Sequence, residues 1–266
     1  MTDRIEEWDL TATNLGRAAR QRYEVAVLPT GAIEPHNRHL PYGQDVRHTT
    51  WVARESCRRA WASGGKVLCL PAIPFGVDCN LMDFPLAMHV SQQVLDAMVR
   101  EVIVSCLRHR IAKFVIVNGH GGNDFAPLCR QVQCDLDTHV FICDWWKVGA
   151  DRYGEIFDHP DDHAGQMETS VAMTLFPELV EMENAGSGAA APFALEGLRK
   201  GYARTSRRFS QLNDHCAAGD PSGASAEKGK AYLELVVDRV AAFLAELSAA
   251  KVDKDFPQES CGVRQP

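Results

Sequence analysis

Residues 23–45 read YEVAVLPTGAIEPHNRHLPYGQD, and in this stretch an apolar run leads directly into a group of metal-binding side chains. The run from Tyr23 to Leu28 is apolar and partly β-branched, and Pro29 and Gly31 end it, which predicts a short buried strand. In an open α/β sheet, ligands bind in the crevice beyond the carboxyl ends of the strands. The polar residues that follow this strand are therefore the first candidates for a functional site.

The same succession of strand, loop and helix recurs along the first half of the chain. Further strands are predicted at 66–70, 114–117 and 139–143, and amphipathic helices at 46–62, 91–110 and 124–136. Such alternation is typical of βαβ units, in which helices cover both faces of a mainly parallel sheet. The predicted fold is of the α/β class, a three-layer α/β/α sandwich with a mostly parallel sheet.

The second half of the chain is less regular. A short helix is predicted at 166–176, where Pro177 stops it, and a long amphipathic helix begins at Ala226. Residues 184–225 between them are rich in Gly, Ala, Ser and Arg, and we expect them to cover the site or to contact another subunit. We find no internal repeat and no linker, which predicts a single domain over residues 1–266 with a loosely ordered tail at about 250–266.

Composition is typical of a soluble globular protein. The chain has 266 residues, 45% hydrophobic and 24% charged, and its net charge of -7 argues against nucleic acid or an anionic membrane as the main partner. No apolar run reaches the roughly 18 residues of a transmembrane helix, and the N-terminus MTDRIEEWDL is acidic rather than signal-like. The nine cysteines include no CxxC pair, so we expect reduced thiols and a cytoplasmic location.

Six candidate site residues lie in three short patches: Glu34, His36 and Asp45 in the opening stretch, His120 in VIVNGHGGN, and His163 and Glu168 in DDHAGQMETS. Imidazole and carboxylate ligands without paired thiols suit zinc, manganese or iron. Glu34 and His36 would face the same side of an extended backbone, and a carboxylate such as that of Asp45 can bridge two metals. The alternative is a polar loop whose side chains cap a helix or contact water.

The second patch, NGHGGN at 118–123, follows a predicted buried strand, and its glycines allow the backbone to approach a ligand closely. Such a run can also cradle a phosphate before a helix, but neither GxGxxG nor GxxxxGK is present. A further alternative is a strained turn in which His120 is hydrogen-bonded to a neighbour. A histidine inside the turn fits metal coordination better.

In the third patch, Glu168 lies in the first turn of the predicted helix, where the helix dipole favours a carboxylate. Alternatively, Glu168 takes part in an N-cap network around Thr169 and Ser170. His163 precedes the helix and is suited to proton transfer, because the pKa of an unperturbed histidine is about 6.5. Asp162 is a candidate to orient its imidazole.

In this order, E-x-H…D, NGHGGN and HAGxxETS resemble the motifs of the creatininase family of creatinine amidohydrolases. The resemblance extends from about Val25 to Glu227 and includes GDPSGASAEKGK at 219–230, which is similar to the family's GDP…A…KG signature. It implies a metal-dependent hydrolase that cleaves a C–N bond other than a peptide bond, such as that of a cyclic amide or formamide. It also implies a homo-oligomer, expected to be a hexamer. The family includes a formamidopyrimidine-type formamide hydrolase and a mycofactocin-peptide processing enzyme, which remain alternatives.

The resemblance further implies two divalent metal ions (Zn, Mn or Fe) per subunit. Glu34, Asp45 and His120 match the ligands of one metal, and His36 matches a ligand of the second metal, which Asp45 bridges to the first. Creatininase proper has NGHYEN, whose acidic residue binds the second metal. Gly122 occupies that place here, which puts creatinine itself in doubt as the substrate.

Glu168 is the predicted replacement for the missing acidic ligand. By the same resemblance, His163 matches the histidine that donates a proton in ring opening. Trp145 or Trp146 would shield the substrate, unless the tryptophan is a buried anchor, and Asp162 is a candidate substrate contact. Two other classes of protein stay open from the residues alone: a non-catalytic small-molecule binding protein, and a nucleotide-binding oxidoreductase.

Overall fold

A computed structural model describes residues 5–259. Its main sheet has four parallel strands in the order β2–β1–β3–β4, and a second, antiparallel sheet pairs β5 with β6. The strands are β1 (Val25–Thr30), β2 (Val67–Cys69), β3 (Lys113–Asn118), β4 (His139–Asp144), β5 (Asp161–His163) and β6 (Ala218–Gly219). The four predicted strands are therefore the four strands of the parallel sheet. The sequence did not predict β5 and β6.

The longer helices match the predicted ones within a few residues at each end. The helices are α1 (Leu15–Ala18), α2 (Gln44–Ala62), α3 (Gln92–Arg108), α4 (Ala126–Asp135), α5 (Tyr153–Ile156), α6 (Gln166–Leu175), α7 (Glu196–Arg199) and α8 (Ala226–Ala249). Ser91 caps α3, since its hydroxyl accepts from the Val94 amide. None of the helices in residues 5–259 combines the length and the apolar character needed to cross a membrane.

Helices cover both faces of the parallel sheet, because successive side chains of a strand point to opposite faces. Val25 and Val27 pack in a core that includes α2, α6 and α8. Ala26 and Leu28 pack in a second core with α3 and α4. The predicted three-layer α/β/α fold is therefore confirmed.

The eight cysteines that lie within residues 5–259 are free thiols. Five of them are buried, whereas Cys79 and Cys134 are exposed and Cys143 is half-buried. Cys261 lies outside the described residues. The segment that follows α8, predicted as a loose tail, contacts β4 through Phe256, whose ring centroid lies 4.8 Å from that of His139. Residues 260–266 of that tail also lie outside the described residues.

Lys113 joins the sheet to the C-terminal end of α8. It is buried at the start of β3, where its ammonium donates to the carbonyl oxygens of Leu247, Ser248 and Ala250 at 2.7, 3.1 and 2.9 Å. The last carbonyls of a helix have no partner within the helix, and a cation there also complements the helix dipole. One buried ammonium thus satisfies carbonyls that end the longest helix described.

The Lys113→Met substitution is expected to lower the free energy of unfolding by about 3 kcal/mol, because several buried carbonyls lose a charged donor. Urea unfolding measures this loss. Lys251→Met, at an exposed position just beyond the same helix, is the matched control and should change stability by less than about 0.5 kcal/mol. Equal stability of the two variants would contradict the assigned role of Lys113.

Candidate metal centre

The candidate ligands meet at the carboxyl edge of the two central strands. β1 and β3 pair in register from Val25 with Lys113 to Thr30 with Asn118, so the loops that follow them begin side by side. A side chain at Gly119 would collide with the hydroxyl of Thr49 and approach the carbonyl of Thr30. The absence of that side chain lets the loop that carries His120 lie directly against the start of α2, which carries Asp45.

The first group of ligands consists of Glu34, Asp45 and His120, all of which are buried. Nδ1 of His120 lies 2.9 Å from Oε1 of Glu34 and 3.3 Å from Oδ2 of Asp45. The three ligand atoms lie within 4.8 Å of one another. This is the set that the family resemblance implied for one metal.

The second group consists of His36, Asp45 and Glu168, and it shares Asp45 with the first group. Nε2 of His36 lies 3.0 Å from Oδ1 of Asp45 and 3.8 Å from Oε2 of Glu168. The two oxygens of Asp45 therefore approach different histidines. Glu168, the predicted replacement ligand, thus lies in the same group as His36 and Asp45.

Two buried atoms of these groups fit the role of metal ligands. His36 Nε2 and Asp45 Oδ2 form no hydrogen bond within the described residues, although other polar atoms lie nearby. A buried polar atom without a partner is costly unless an ion or a proton compensates it. The donor set of carboxylate oxygens and imidazole nitrogens suits zinc, manganese or iron.

Burial and neighbouring charges shift the pKa values of the candidate ligands. Burial raises the pKa of Glu34 to about 7, with a further contribution from Asp45, and burial likewise raises the pKa of Glu168 to about 8. Burial alone would lower the pKa of His36, but Asp45 and Glu168 outweigh it and raise that pKa to about 10. Without an added cation, the cluster therefore retains protons on groups that would otherwise be available as ligands.

His163 lies at the edge of this cluster. Its Nε2 is 2.9 Å from the carbonyl oxygen of Pro35, which can only accept, so Nε2 carries the hydrogen in the neutral ring. Its Nδ1 faces the cluster, 3.9 Å from Oε1 of Glu34. Burial, with a contribution from the neighbouring His36, holds the pKa of His163 well below the usual range. The neutral ring thus presents a proton-accepting nitrogen to the site.

A cavity of about 650 Å³ opens above these groups. Glu34, Asp45, His120, His163 and Glu168 contribute to its lining, and the side chains around them come from Trp146, Lys147, Tyr153, Arg207 and Phe209 among others. A larger groove of about 920 Å³ lies between α1 and α3 and contains none of the six candidate residues. We therefore assign the candidate site to the smaller cavity.

The two predicted substrate contacts, Trp145 and Asp162, differ in their position relative to the cavity. Trp145 is only 1% exposed and packs edge-on against Tyr232 in the core, so the alternative of a buried anchor is correct for this residue. Its neighbour Trp146 lines the cavity. Asp162 does line the rim of the cavity, but its carboxylate pairs with Arg207. The Pro35 carbonyl, not Asp162, contacts the imidazole of His163.

Two residues near the ligands are not among the predicted site residues. Asp78 is fully buried, and its Oδ1 lies 2.9 Å from Nε2 of His120. Tyr153 lines the cavity, and its hydroxyl is buried without a hydrogen-bond partner in residues 5–259. Neither position carries a motif or a periodicity that marks it as part of a site.

Comparison with known proteins defines the class. The family model described as "Creatininase: Creatinine amidohydrolase" matches residues 8–244, and the chain therefore belongs to the creatininase family. The chain is 30% identical over 221 residues to a mycofactocin precursor peptide peptidase of Mycobacterium tuberculosis, which covers 80% of this chain and 81% of that protein. It is 27% identical over 179 residues to the creatinine amidohydrolase of Pseudomonas putida, or 60% of this chain and 67% of that protein. The chain is accordingly a creatininase-family hydrolase.

Solved structures agree with this assignment. A protein of Bacteroides fragilis NCTC 9343, provisionally described as a creatinine amidohydrolase, is 31% identical, with a TM-score of 0.86 over 96% of this chain and 100% of that one. A creatininase described as a Zn-Zn type has a TM-score of 0.76 at 21% identity, over 92% of this chain and 100% of that one. The latter likeness shows the fold alone.

Gly122→Ala is expected to displace His120 and to cost about 2 kcal/mol of stability, because the added carbon would lie 2.3 Å from His120 Nε2 and 2.4 Å from the Val77 oxygen. Gly121→Ala is the matched control, since a carbon added there meets nothing within 4 Å. Thermal unfolding of the two variants measures the difference. A Gly122→Ala protein as stable as its Gly121→Ala counterpart would rule out the tight packing around His120.

Proposed function

We propose that this protein is a metal-dependent amidohydrolase that cleaves a C–N bond other than an ordinary peptide bond in a small molecule, such as a cyclic amide or a formamide. The proposal rests chiefly on Asp45, whose two oxygens serve two overlapping ligand groups. A carboxylate shared in this way would contribute to the binding of two divalent ions. The proposed ligands are Glu34, Asp45 and His120 for one ion, and His36, Asp45 and Glu168 for the other.

Divalent ions in a site of this kind polarise a carbonyl group and make a water molecule more acidic. The proton transfers are assigned to the chain's own residues. His163, neutral and with Nδ1 directed towards Glu34, is placed to accept a proton from the attacking water and to pass it to the departing nitrogen. The Pro35 carbonyl keeps this ring in the required tautomer and orientation.

A second candidate function is the processing of a peptide, as in the mycofactocin peptidases that this chain resembles. The relative of this type from M. tuberculosis is 30% identical to the chain, against 27% for the creatinine amidohydrolase. Gly122 further distinguishes this chain from creatininase proper, which has an acidic residue in the corresponding motif. The formamide named in the first candidate function has support of its own, because a pyrimidine deformylase of Methanothermobacter marburgensis is 26% identical over 159 residues, or 58% of this chain and 60% of that protein.

The proposal also includes an oligomeric state and a cellular location. We propose a homo-oligomer, a hexamer by family resemblance, which light scattering on the purified protein tests. We also propose a cytoplasmic location, because a reducing compartment suits the eight free thiols of the described residues. Neither expectation affects the assignment of the ligands.

The purified protein is expected to hold two divalent ions per chain and to lose activity when a chelator removes them. His120→Ala should retain fewer ions, because it lacks a ligand of one group. Asp162→Asn, which alters a charge at the rim of the cavity, is the control and should keep the full complement. Elemental analysis of the three proteins measures the number of divalent ions per chain. A wild-type protein without bound metal after growth in Zn, Mn or Fe would refute the proposal.

His163→Ala is expected to keep both ions and to lose turnover by about 10²- to 10⁴-fold, the usual contribution of a general acid–base group. Turnover is measured on whichever cyclic amide, lactam, formamide or short peptide the wild-type protein hydrolyses. His159→Ala, at an exposed position before the same strand, should leave the rate unchanged. Full activity of the His163→Ala protein would remove His163 from the mechanism.

A further inference from the structure

Asp78 is a carboxylate that the proposed reaction does not use. It lies in the loop that follows β2, and its side chain is fully buried. Its Oδ1 is 2.9 Å from Nε2 of His120, and neither of its oxygens forms a hydrogen bond of good geometry within residues 5–259. A buried carboxylate needs a charged or hydrogen-bonding partner, and the imidazole of His120 is the group that lies close enough to provide one.

The two nitrogens of His120 face different groups. Nδ1 is directed at Glu34 and Asp45, the proposed ligands of the same metal. Nε2 is directed away from them, at Oδ1 of Asp78 and, 3.2 Å away, at the carbonyl oxygen of Val77. With a metal ion bound on the Nδ1 side, the ring hydrogen of His120 would have to be on Nε2, and the Asp78 carboxylate and the Val77 carbonyl are the acceptors for it there.

The backbone around Asp78 is fixed on both sides. The Val77 amide donates to Oδ1 of Asn123 at 3.0 Å, which ties this loop to the loop that carries His120. The Asp78 amide donates to Nδ1 of His89 at 3.1 Å. A side chain at Gly122 would occupy the space between His120 and Val77. The glycine therefore permits the approach of a carboxylate from a different loop.

We propose that Asp78 is a positioning residue that holds the ring of His120 and strengthens its Nδ1 as a metal ligand. This inference rests on the proposed function, because it takes His120 as a ligand. Carboxylates that accept the second N–H of a metal-bound histidine commonly contribute 10- to 100-fold to metal affinity. Asp78 would act on one of the two ions only, since its contact is with a ligand of the Glu34 group and not with His36 or Glu168.

The test is the zinc affinity of each site, measured by competition with a chromophoric chelator in the wild-type protein and in Asp78→Asn and Asp78→Ala variants. Asp78→Ala should weaken one site by 10- to 100-fold and leave the other unchanged. Asp78→Asn should have a smaller effect on the same site, because the amide oxygen still accepts the N–H but carries no charge. Asp83→Asn, at an exposed position of the same loop, is the control and should bind zinc as the wild type does.

A second measurement separates positioning from a general loss of structure. In the zinc-loaded wild-type protein, ¹⁵N NMR of the imidazoles should show His120 with a protonated Nε2 and a metal-bound Nδ1, and this signature should weaken in Asp78→Ala. If Asp78→Ala does not fold, the isosteric Asp78→Asn variant carries the test alone. Unchanged zinc affinity in Asp78→Asn and in any folded Asp78→Ala, or equal weakening of both sites, would overturn the inference while leaving the proposed function in place. A wild-type protein that binds no zinc, manganese or iron would instead refute the proposed function.

Discussion

Mutual repulsion of buried carboxylates is the constraint on which the site depends. Glu34, Asp45 and Glu168 are largely or wholly withdrawn from water, and their ion pairs within residues 5–259 are all with histidines. Two unit charges 4 Å apart repel each other by about 4 kcal/mol at an effective dielectric constant of about 20. The raised pKa values of Glu34 and Glu168 show one way to relieve this repulsion, which is to bind protons. Divalent cations relieve it more completely, because each ion offsets two of the negative charges.

The parallel sheet allows these carboxylates to lie close together. Parallel strands deliver their following loops to one edge, and the register of β1 and β3 sets Thr30 opposite Asn118. The amide of Asn118 then donates to the carbonyl of His120 and to the carboxylate of Asp144, so one side chain links the ends of β3 and β4. The rigid core below the edge supports groups that would otherwise move apart. Packing energy from the two helical layers therefore offsets the electrostatic cost of the cluster.

The sequence predicted the parallel sheet and the proposed ligands because both leave local signals. Apolar runs ended by glycine or proline marked the strands, and polar residues of ligand type followed two of them. Asp78 left no such signal, since its burial results from contacts with His120 and with the loop of His89. The sequence did not distinguish Trp145 from Trp146, because the two residues are adjacent and show no hydrophobic periodicity. A single turn of 3₁₀ helix places Trp145 in the core and Trp146 in the cavity.

Asp161 and Asp162 likewise differ in a way that the sequence does not show. In β5 adjacent side chains point to opposite sides, so that Asp161 accepts from the amide of Met167 near the start of α6, while Asp162 reaches Arg207 at the rim. With three residues in β5 and two in β6, these strands are too short for an alternating pattern to be read from the sequence. The second sheet forms because β6, near the end of the 184–225 segment, pairs with β5.

Arg207 and Phe209 of the 184–225 segment line the cavity beside the candidate ligands. Phe209 packs edge-on against His163, with ring centroids 5.0 Å apart. The guanidinium group of Arg207 lies over the ring of Phe209. The Phe209 amide donates to the carbonyl of Asn80, and this hydrogen bond joins the 184–225 segment to the loop that carries Asp78. Because Arg207 is paired with Asp162, these two charges largely offset each other at the rim of the cavity. The 184–225 segment therefore supplies both an aromatic ring against His163 and an ion pair at the rim.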